Sequence, residues 1–314
     1  MGRRIRLMAI AGAVAATVTL AGQAFAETAT QDGYFAAPDR EASYLQRLAI
    51  DGFDGKAGPE LEDAITRALM ASGHFDVMTA TRRAFRNGDA QGLLSGTILT
   101  SVNRSRFRDT RETCVERKDG DCVKHERKKV DCLRRTATVR ASLQIERTAD
   151  SRIVYSQQIP QSTTLSWCPG DRHEESIDTV MMRMIGQIAG QFAADITPEH
   201  KRYAIRFRES RKDMPKEIGK QFKEAVHMTK RDVDAACQSW QALDAQLPDN
   251  ASITFDLGLC AEHKGDYQGA LAKYERASQL IGGSNNEGDE GVARIHRLIA
   301  GREDQRRFAQ DGAM

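Results

Sequence analysis

The chain has 314 residues, with 46 Lys+Arg against 44 Asp+Glu. So even a balance excludes a protein whose global charge is built for nucleic acid. Past the N-terminus no apolar window reaches the roughly eighteen residues that a membrane helix needs.

The chain opens MGRRIRLMAIAGAVAATVTLAGQAFAETAT. Arg3, Arg4 and Arg6 form a positive start, an apolar stretch follows from Leu7 to Ala21, and Ala24-Phe25-Ala26 has small residues where a signal peptidase reads. Together they predict a secretory signal peptide, residues 1–26, cleaved after Ala26. The apolar stretch is short and rich in Ala and Gly, which argues against a membrane anchor. Gln23 stands where a bacterial lipoprotein would carry its lipid-attachment cysteine. The expected product is a soluble periplasmic protein. It keeps 43 basic residues against 44 acidic ones and is long enough for two modest domains, 27–212 and 213–314. In an oxidising compartment its six cysteines, Cys114, Cys122, Cys132, Cys168, Cys237 and Cys260, are read first as disulfides. Six cysteines allow fifteen pairings.

After a polar leader, Leu48-Ala49-Ile50-Asp51 reads as a short strand. A glycine-rich loop, Gly52 to Gly58, leads to a helix with Pro59 in its first turn and Glu60 and Glu62 complementing the dipole. Leu61, Ile65 and Leu69 recur every four residues with Ala64 and Ala68, and Gly73 stops the helix. Phe75 to Met78 gives a second strand and Leu93 to Val102 a third. From Arg135 to Arg147, Ala137, Val139, Ala141, Leu143 and Ile145 alternate with polar residues, the pattern of a strand buried on one face. Thr148 to Ser151 turns the chain, and Arg152 to Ile159 returns. Ile177, Val180, Met181, Met184, Ile185, Ile188 and Phe192 mark an amphipathic helix. Tyr203 to Phe207 closes the unit as a last strand.

This element order, carried by AITRALMASGHFDVMT, LLSGTILTSV, TVRASLQIERTADSRIVYSQQI and the helix from Ser176 to Ala194, resembles the periplasmic α/β domain of the curli secretion lipoprotein and of the lipoprotein activators of peptidoglycan synthases. The resemblance spans roughly Leu48 to Phe207. Two departures weigh on function: the lipid anchor is missing, and no long alternating hairpin suited to a membrane barrel is evident. Only the domain fold is therefore carried over.

Shifted by 34 residues, the C-terminal part matches itself: Asp232 falls on Asp266, Ala236 on Ala270 and Trp240 on Tyr274. That period, with ASITFDLGLCAEHKGDYQGALAKYERASQLI as the better copy, resembles the tetratricopeptide repeat. Leu257-Gly258 would let the two helices approach closely, and Gly265-Asp266-Tyr267 would turn between them. The first copy is more degenerate, with Lys223-Glu224 at the Leu-Gly position. Residues 288–302 would form a capping helix. The resemblance implies a concave, partner-binding face carrying Gln221, Ala225, Met228, Phe255, Leu259 and Glu262. A structural reading, in which the same residues pack against the N-terminal domain, stands beside it. Cys237 and Cys260 lie on neighbouring helices of such an array, where a bridge is plausible.

CVERKDGDCVKHERKKVDC, from Cys114 to Cys132, admits three readings. A zinc site usually sets two ligands two to four residues apart, and here seven residues separate Cys114 from Cys122. A nucleic-acid clamp would interleave aromatic platforms with its charge; Arg104 to Arg140 holds thirteen basic and seven acidic residues with Phe107 as its only aromatic. Charge that keeps strand edges soluble, or meets an anionic envelope surface, fits better. Disulfides remain. Asp119-Gly120 signals a two-residue hairpin, which would set Cys114 opposite His125 and Cys122 opposite Arg117, leaving the two sulfurs' residues about 10 Å apart. We therefore expect a wider loop that joins Cys114 to Cys122, with Cys132 and Cys168 as the second pair.

No GxSxG, HExxH or P-loop pattern occurs, and Asp51 to Glu62 lacks the oxygen ligands of an EF-hand. His173-Glu174-Glu175 reads as a polar helix start and His263 as a surface residue. We thus expect no catalytic site, no cofactor and no metal. The expected fold is α+β: an N-terminal mixed α/β sandwich domain followed by an all-α tetratricopeptide array. The expected role is a periplasmic adaptor or scaffold that binds a protein or peptide partner, without nucleic acid and without stable membrane insertion. An accessory component of a curli-like export system, or an enzyme of another class, are the alternatives.

Overall fold

The computed structural model describes residues 27–80, 89–171 and 175–311. The expected leader, residues 1–26, lies outside these residues, as do His173 and Glu174. The protein is mixed α/β, with an N-terminal sheet region and a C-terminal region of five helices.

Five strands make one sheet in the order β3-β2-β4-β5-β6: β2 (Arg47–Asp54), β3 (Asp76–Thr79), β4 (Gly92–Lys118), β5 (Asp121–Arg147) and β6 (Arg152–Trp167). β2 runs parallel to β3 and to β4, while β4, β5 and β6 form an antiparallel meander. Helices α2 (Gly58–Ser72) and α3 (Ile177–Ile196) cover one face. The alternation of β5 explains why: Ala137, Val139, Ala141, Leu143 and Ile145 all bury against Leu61, Ile65, Leu69, Val180, Ile188 and Phe192. Each such large side chain contributes about 1.5–3 kcal/mol on burial. The opposite face stays polar and open. The parallel step from β2 into α2 needs glycine at its tightest point, because a side chain at Gly58 would strike the Phe53 carbonyl oxygen. The helix ends where Gly73 turns to φ 65°.

The meander is longer than expected, and its turn corrects the reading above. β4 and β5 are each 27 residues long, roughly 85 Å at the usual rise per residue, a long hairpin though not an alternating one suited to a barrel. Hydrophobic alternation fades after Val102 and before Arg135, yet the backbone ladder continues through charged residues. β6 stops pairing at Leu133↔Trp167, and from Arg108 to Asp131 the hairpin is a two-stranded ribbon with water on both faces, here termed the arm. Its turn is not widened. Asp119 (φ 53°) and Gly120 (φ 93°) form a two-residue turn with Lys118 paired to Asp121. Cys114 indeed faces His125 and Cys122 faces Arg117. Register shifts around Glu116 bend the strand and bring the Cα atoms of Cys114 and Cys122 to 5.8 Å, where the disulfide closes. Cys132 and Cys168 join at the root of the arm, with Cα atoms 4.3 Å apart.

A second sheet has two strands, β1 (Thr28–Phe35) and β7 (Glu199–Arg206), antiparallel from Thr28↔Arg206 to Phe35↔Glu199. Residues 28–35, read from sequence as polar leader, are this strand. Alternation hides there because two of its inward positions are Ala29 and Gln31. β7 therefore does not close the larger sheet. Ala29, Phe35, Ile205 and the adjoining Phe207 enter a second core with the C-terminal helices.

Those helices are α4 (Lys216–Met228), α5 (Val233–Gln246), α6 (Ala251–His263), α7 (Tyr267–Ile281) and α8 (Glu287–Asp311). The 34-residue offset is visible in their local chemistry. Asp232 caps α5 by accepting from the Ala235 N–H at 2.8 Å, and Asp266 caps α7 by accepting from the Gly269 N–H at 3.0 Å. Ala236 and Ala270 are fully buried, as are Trp240 and Tyr274. Gly258 lies flat against the Tyr274 ring, where a Cβ would sit 2.9 Å away. The Cys237–Cys260 disulfide ties α5 to α6. α8 is longer than the expected cap. Its N-terminal half fills the second core with Ile295 and Leu298. Its C-terminal half reaches back to the N-terminal region through the short helix α1 (Arg40–Ser43): Asp304 accepts from the Arg40 guanidinium and from the Tyr44 hydroxyl at 2.7 Å.

Candidate functional site

The helical face expected to bind a partner is largely enclosed. Ala225, Phe255, Leu259 and Glu262 are buried, packed with β1, β7 and α8. Gln221 is exposed, and Met228 is 36% exposed. The reason is apolar economy: the β1–β7 ribbon has one oily face, and this helical face covers it.

Glu262 is the polar hub of that contact. Its carboxylate accepts from Arg294 at 2.8 and 2.9 Å, from the Tyr274 hydroxyl at 2.7 Å and from the Tyr203 hydroxyl at 2.8 Å. Four donors from α7, α8 and β7 meet one side chain from α6. Burial and then the neighbouring Glu262 charge raise the pKa of both tyrosines. Burial opposes the Arg294 charge, but its hydrogen bonds to Glu262 prevail and its pKa is raised. A buried pair fully satisfied in this way fixes geometry more than it adds stability. Nearby, Asp256 is wholly buried. One oxygen accepts from the Arg208 N–H at 2.8 Å and the other has no partner, so burial raises its carboxyl well above the usual range.

The arm presents the opposite situation, charge without a core. Arg108 pairs with Asp131 at 3.1 Å and Arg127 with Glu112 at 3.1 Å, while Arg111 meets Asp109 at 2.9 Å. At the root, Arg134 lies over Phe107 and Arg135 over Trp167, each guanidinium carbon 4.6 Å from the ring centre. Arg104 stands directly opposite Arg135, and Arg111 opposite Lys128. Like charges placed across a ladder cost stability. The Asp119-Gly120 turn gave the register near the tip, and the same register carried inward sets these like charges opposite one another, a step the sequence reading did not take.

Among the described residues, Asp109, Cys132 and Cys168 approach one another as three ligands would, but the two sulfurs are joined to each other. All six cysteines are paired, which removes any thiol nucleophile. The open face of the sheet carries a shallow groove of about 390 Å³ lined by Asp54, Thr97, Ser142, Gln144, Ser156 and Gln158. No two of its side chains are paired as acid and base or nucleophile and base.

These features define a disulfide-bonded α+β protein in which helices sheathe one strand pair and a second strand pair projects. No family model and no curated protein matches the chain. Among solved structures it is similar to a PelC dodecamer from Paraburkholderia phytofirmans, at 16% identity over 53% of this chain and 98% of that one, with a TM-score of 0.27. It is also similar to a minor lipoprotein from Acinetobacter baumannii, at 12% identity over 50% and 96%, TM-score 0.25. A third is the rare lipoprotein B from Shewanella oneidensis, at 12% identity over 48% and 89%, TM-score 0.24.

Proposed function

We propose that this chain is a non-catalytic periplasmic adaptor or scaffold, its leader removed after Ala26, that binds a protein partner in cell-envelope assembly. The observation that carries this reading is the arm. An isolated two-stranded ribbon is marginal in water, yet here it is extended far beyond the sheet and clamped by one disulfide at its root and another near its tip. It adds nothing to either hydrophobic core, so its use lies outside the molecule. Three disulfides fit an exported protein, and no helix among the described residues is long and apolar enough to cross a membrane.

In this reading α4 to α7 are two tetratricopeptide repeats, supported by the matched aspartate caps and buried aromatic positions. Residues 27–212 and 213–314 are the two domains, with β1 and β7 stitching the first to the second. The concave face is occupied in cis, and a partner meets the arm or the outer residues Gln221 and Met228. The alternative of an export component that inserts strands in a membrane is disfavoured by the arm itself, which carries charge on both faces where a barrel needs one apolar face.

A photo-cross-linking residue placed at Thr110, Gln221 or Met228 in living cells tests the reading. One discrete partner band is expected. Absence of a partner at all three positions would remove the adaptor role.

A further inference from the structure

β2 pairs with β4 only as far as Thr97. Beyond that point no described strand lies along this edge of β4, and positions 99 to 106 are exposed. An unpaired edge of this length offers a row of backbone N–H and C=O groups to an incoming strand. Arg104 and Arg106 rise from this edge strand on one face, two residues and so roughly 6.7 Å apart. Neither has a hydrogen bond or ion pair among the described residues. Arg104 also faces Arg135 across the ladder, so positive charge is concentrated on this stretch of the hairpin. Further out, Arg108 is satisfied by Asp131, which ends the unneutralised strip. Further in, β2 and the loop that closes on Ile98 fill the edge. The Cys132–Cys168 disulfide holds this part of the hairpin to β6.

We infer that the edge of β4 from Leu99 to Arg106 is a docking rail for an extended acidic protein segment, which adds as a further strand and sets carboxylates at alternate positions against Arg104 and Arg106. This rests on the reading of the chain as one that binds a protein partner. The match is geometric: alternate side chains of a strand repeat at the same spacing as the two arginines. A bilayer or a nucleic acid carries anionic charge but no backbone that can complete a ladder. A second copy of this edge would bring Arg104 and Arg106 against the same arginines.

The test uses the exported, disulfide-intact protein and a fluorescent peptide alternating Glu with Val and Thr, followed by anisotropy. The peptide is expected to bind, to weaken as salt rises, and to bind about tenfold or more weakly to Arg104→Glu and to Arg106→Glu. Lys220→Glu, on α4, serves as the control and should not change it. The same peptide N-methylated at alternate residues, which keeps the charges but removes the ladder, should not bind. Circular dichroism of each variant verifies that the sheet is intact. Equal binding to the reversed variants, indifference to N-methylation, or binding of phosphatidylglycerol vesicles in place of the peptide would each overturn the inference. A partner trapped through Thr110 that persists in the doubly reversed protein would overturn it too, while leaving the adaptor role standing.

Discussion

Asp256 shows how one buried side chain sets a pH dependence. Its folded pKa is raised by burial, so folding favours the protonated form. Between the unfolded value near 3.9 and the raised folded one, the folded state binds more protons. Stability is therefore fullest below the unfolded pKa and is lost as pH rises through the folded one. Asp256→Asn keeps the bond to the Arg208 N–H and removes the ionisable group. It should raise the melting temperature at neutral pH, by about 1–3 kcal/mol of stability, and flatten its decline between acidic and neutral pH. A melting series across that range reads both. Glu262→Gln should act the other way. It leaves Arg294 enclosed without a counter-charge, at a cost of about 3–5 kcal/mol, and Arg294→Met in the same chain should recover much of the loss. Chemical denaturation of the single and double variants measures this.

For the elements, the disulfides divide by what they hold. Cys237→Ser with Cys260→Ser should cost about 3 kcal/mol through the entropy of the unfolded chain, seen as a lower denaturation midpoint. Cys132→Ser with Cys168→Ser opens a loop of 36 residues rather than 23, so it should lower the midpoint at least as much and also loosen the arm, so that amide exchange quickens from Arg108 to Asp131. Much of this element structure is legible from the residues. α2 follows from Leu61, Ile65, Leu69, Pro59 and Gly73, and β5 from its five alternating apolar residues. The caps at Asp232 and Asp266 lie where the repeat offset puts them. What escaped has a physical reason in each case. β1 hides its inward face behind Ala29 and Gln31. The outer half of the long hairpin is held by backbone bonds, charge pairs and sulfur, none of which leaves a hydrophobic period. That the face on α4 and α6 would be covered is one of the two readings the sequence allows, but nothing local tells that β1 and β7 are the strands that cover it.

Across the whole molecule, α8 is the element that both halves share. Leu298 packs in the helical core, the Ala36 N–H donates to the Arg297 carbonyl at 3.1 Å, and Asp304, itself buried, holds Arg40 and Tyr44. Ending the chain at Gly301 removes the last of these while sparing the first two. The expected result in calorimetry is a single transition that separates into two, the helical half and the sheet half melting independently. Asp304→Ala should move in the same direction to a smaller degree. Persistence of one sharp transition in the truncated chain would show that the contacts of β1 and β7 alone couple the halves.

The pairing of Thr28 with Arg206 also dictates an order of events during biogenesis. Whatever machinery threads the chain from its N-terminus delivers β1 first and its mate only after some 178 further positions, the difference between those two numbers. Until then the opening strand must wait unmatched, and the helices that will seat it are later still. Folding thus closes an early strand upon elements made much later. An insertion beside Thr28 would interfere with that closure far more than an insertion at the Asp119-Gly120 tip.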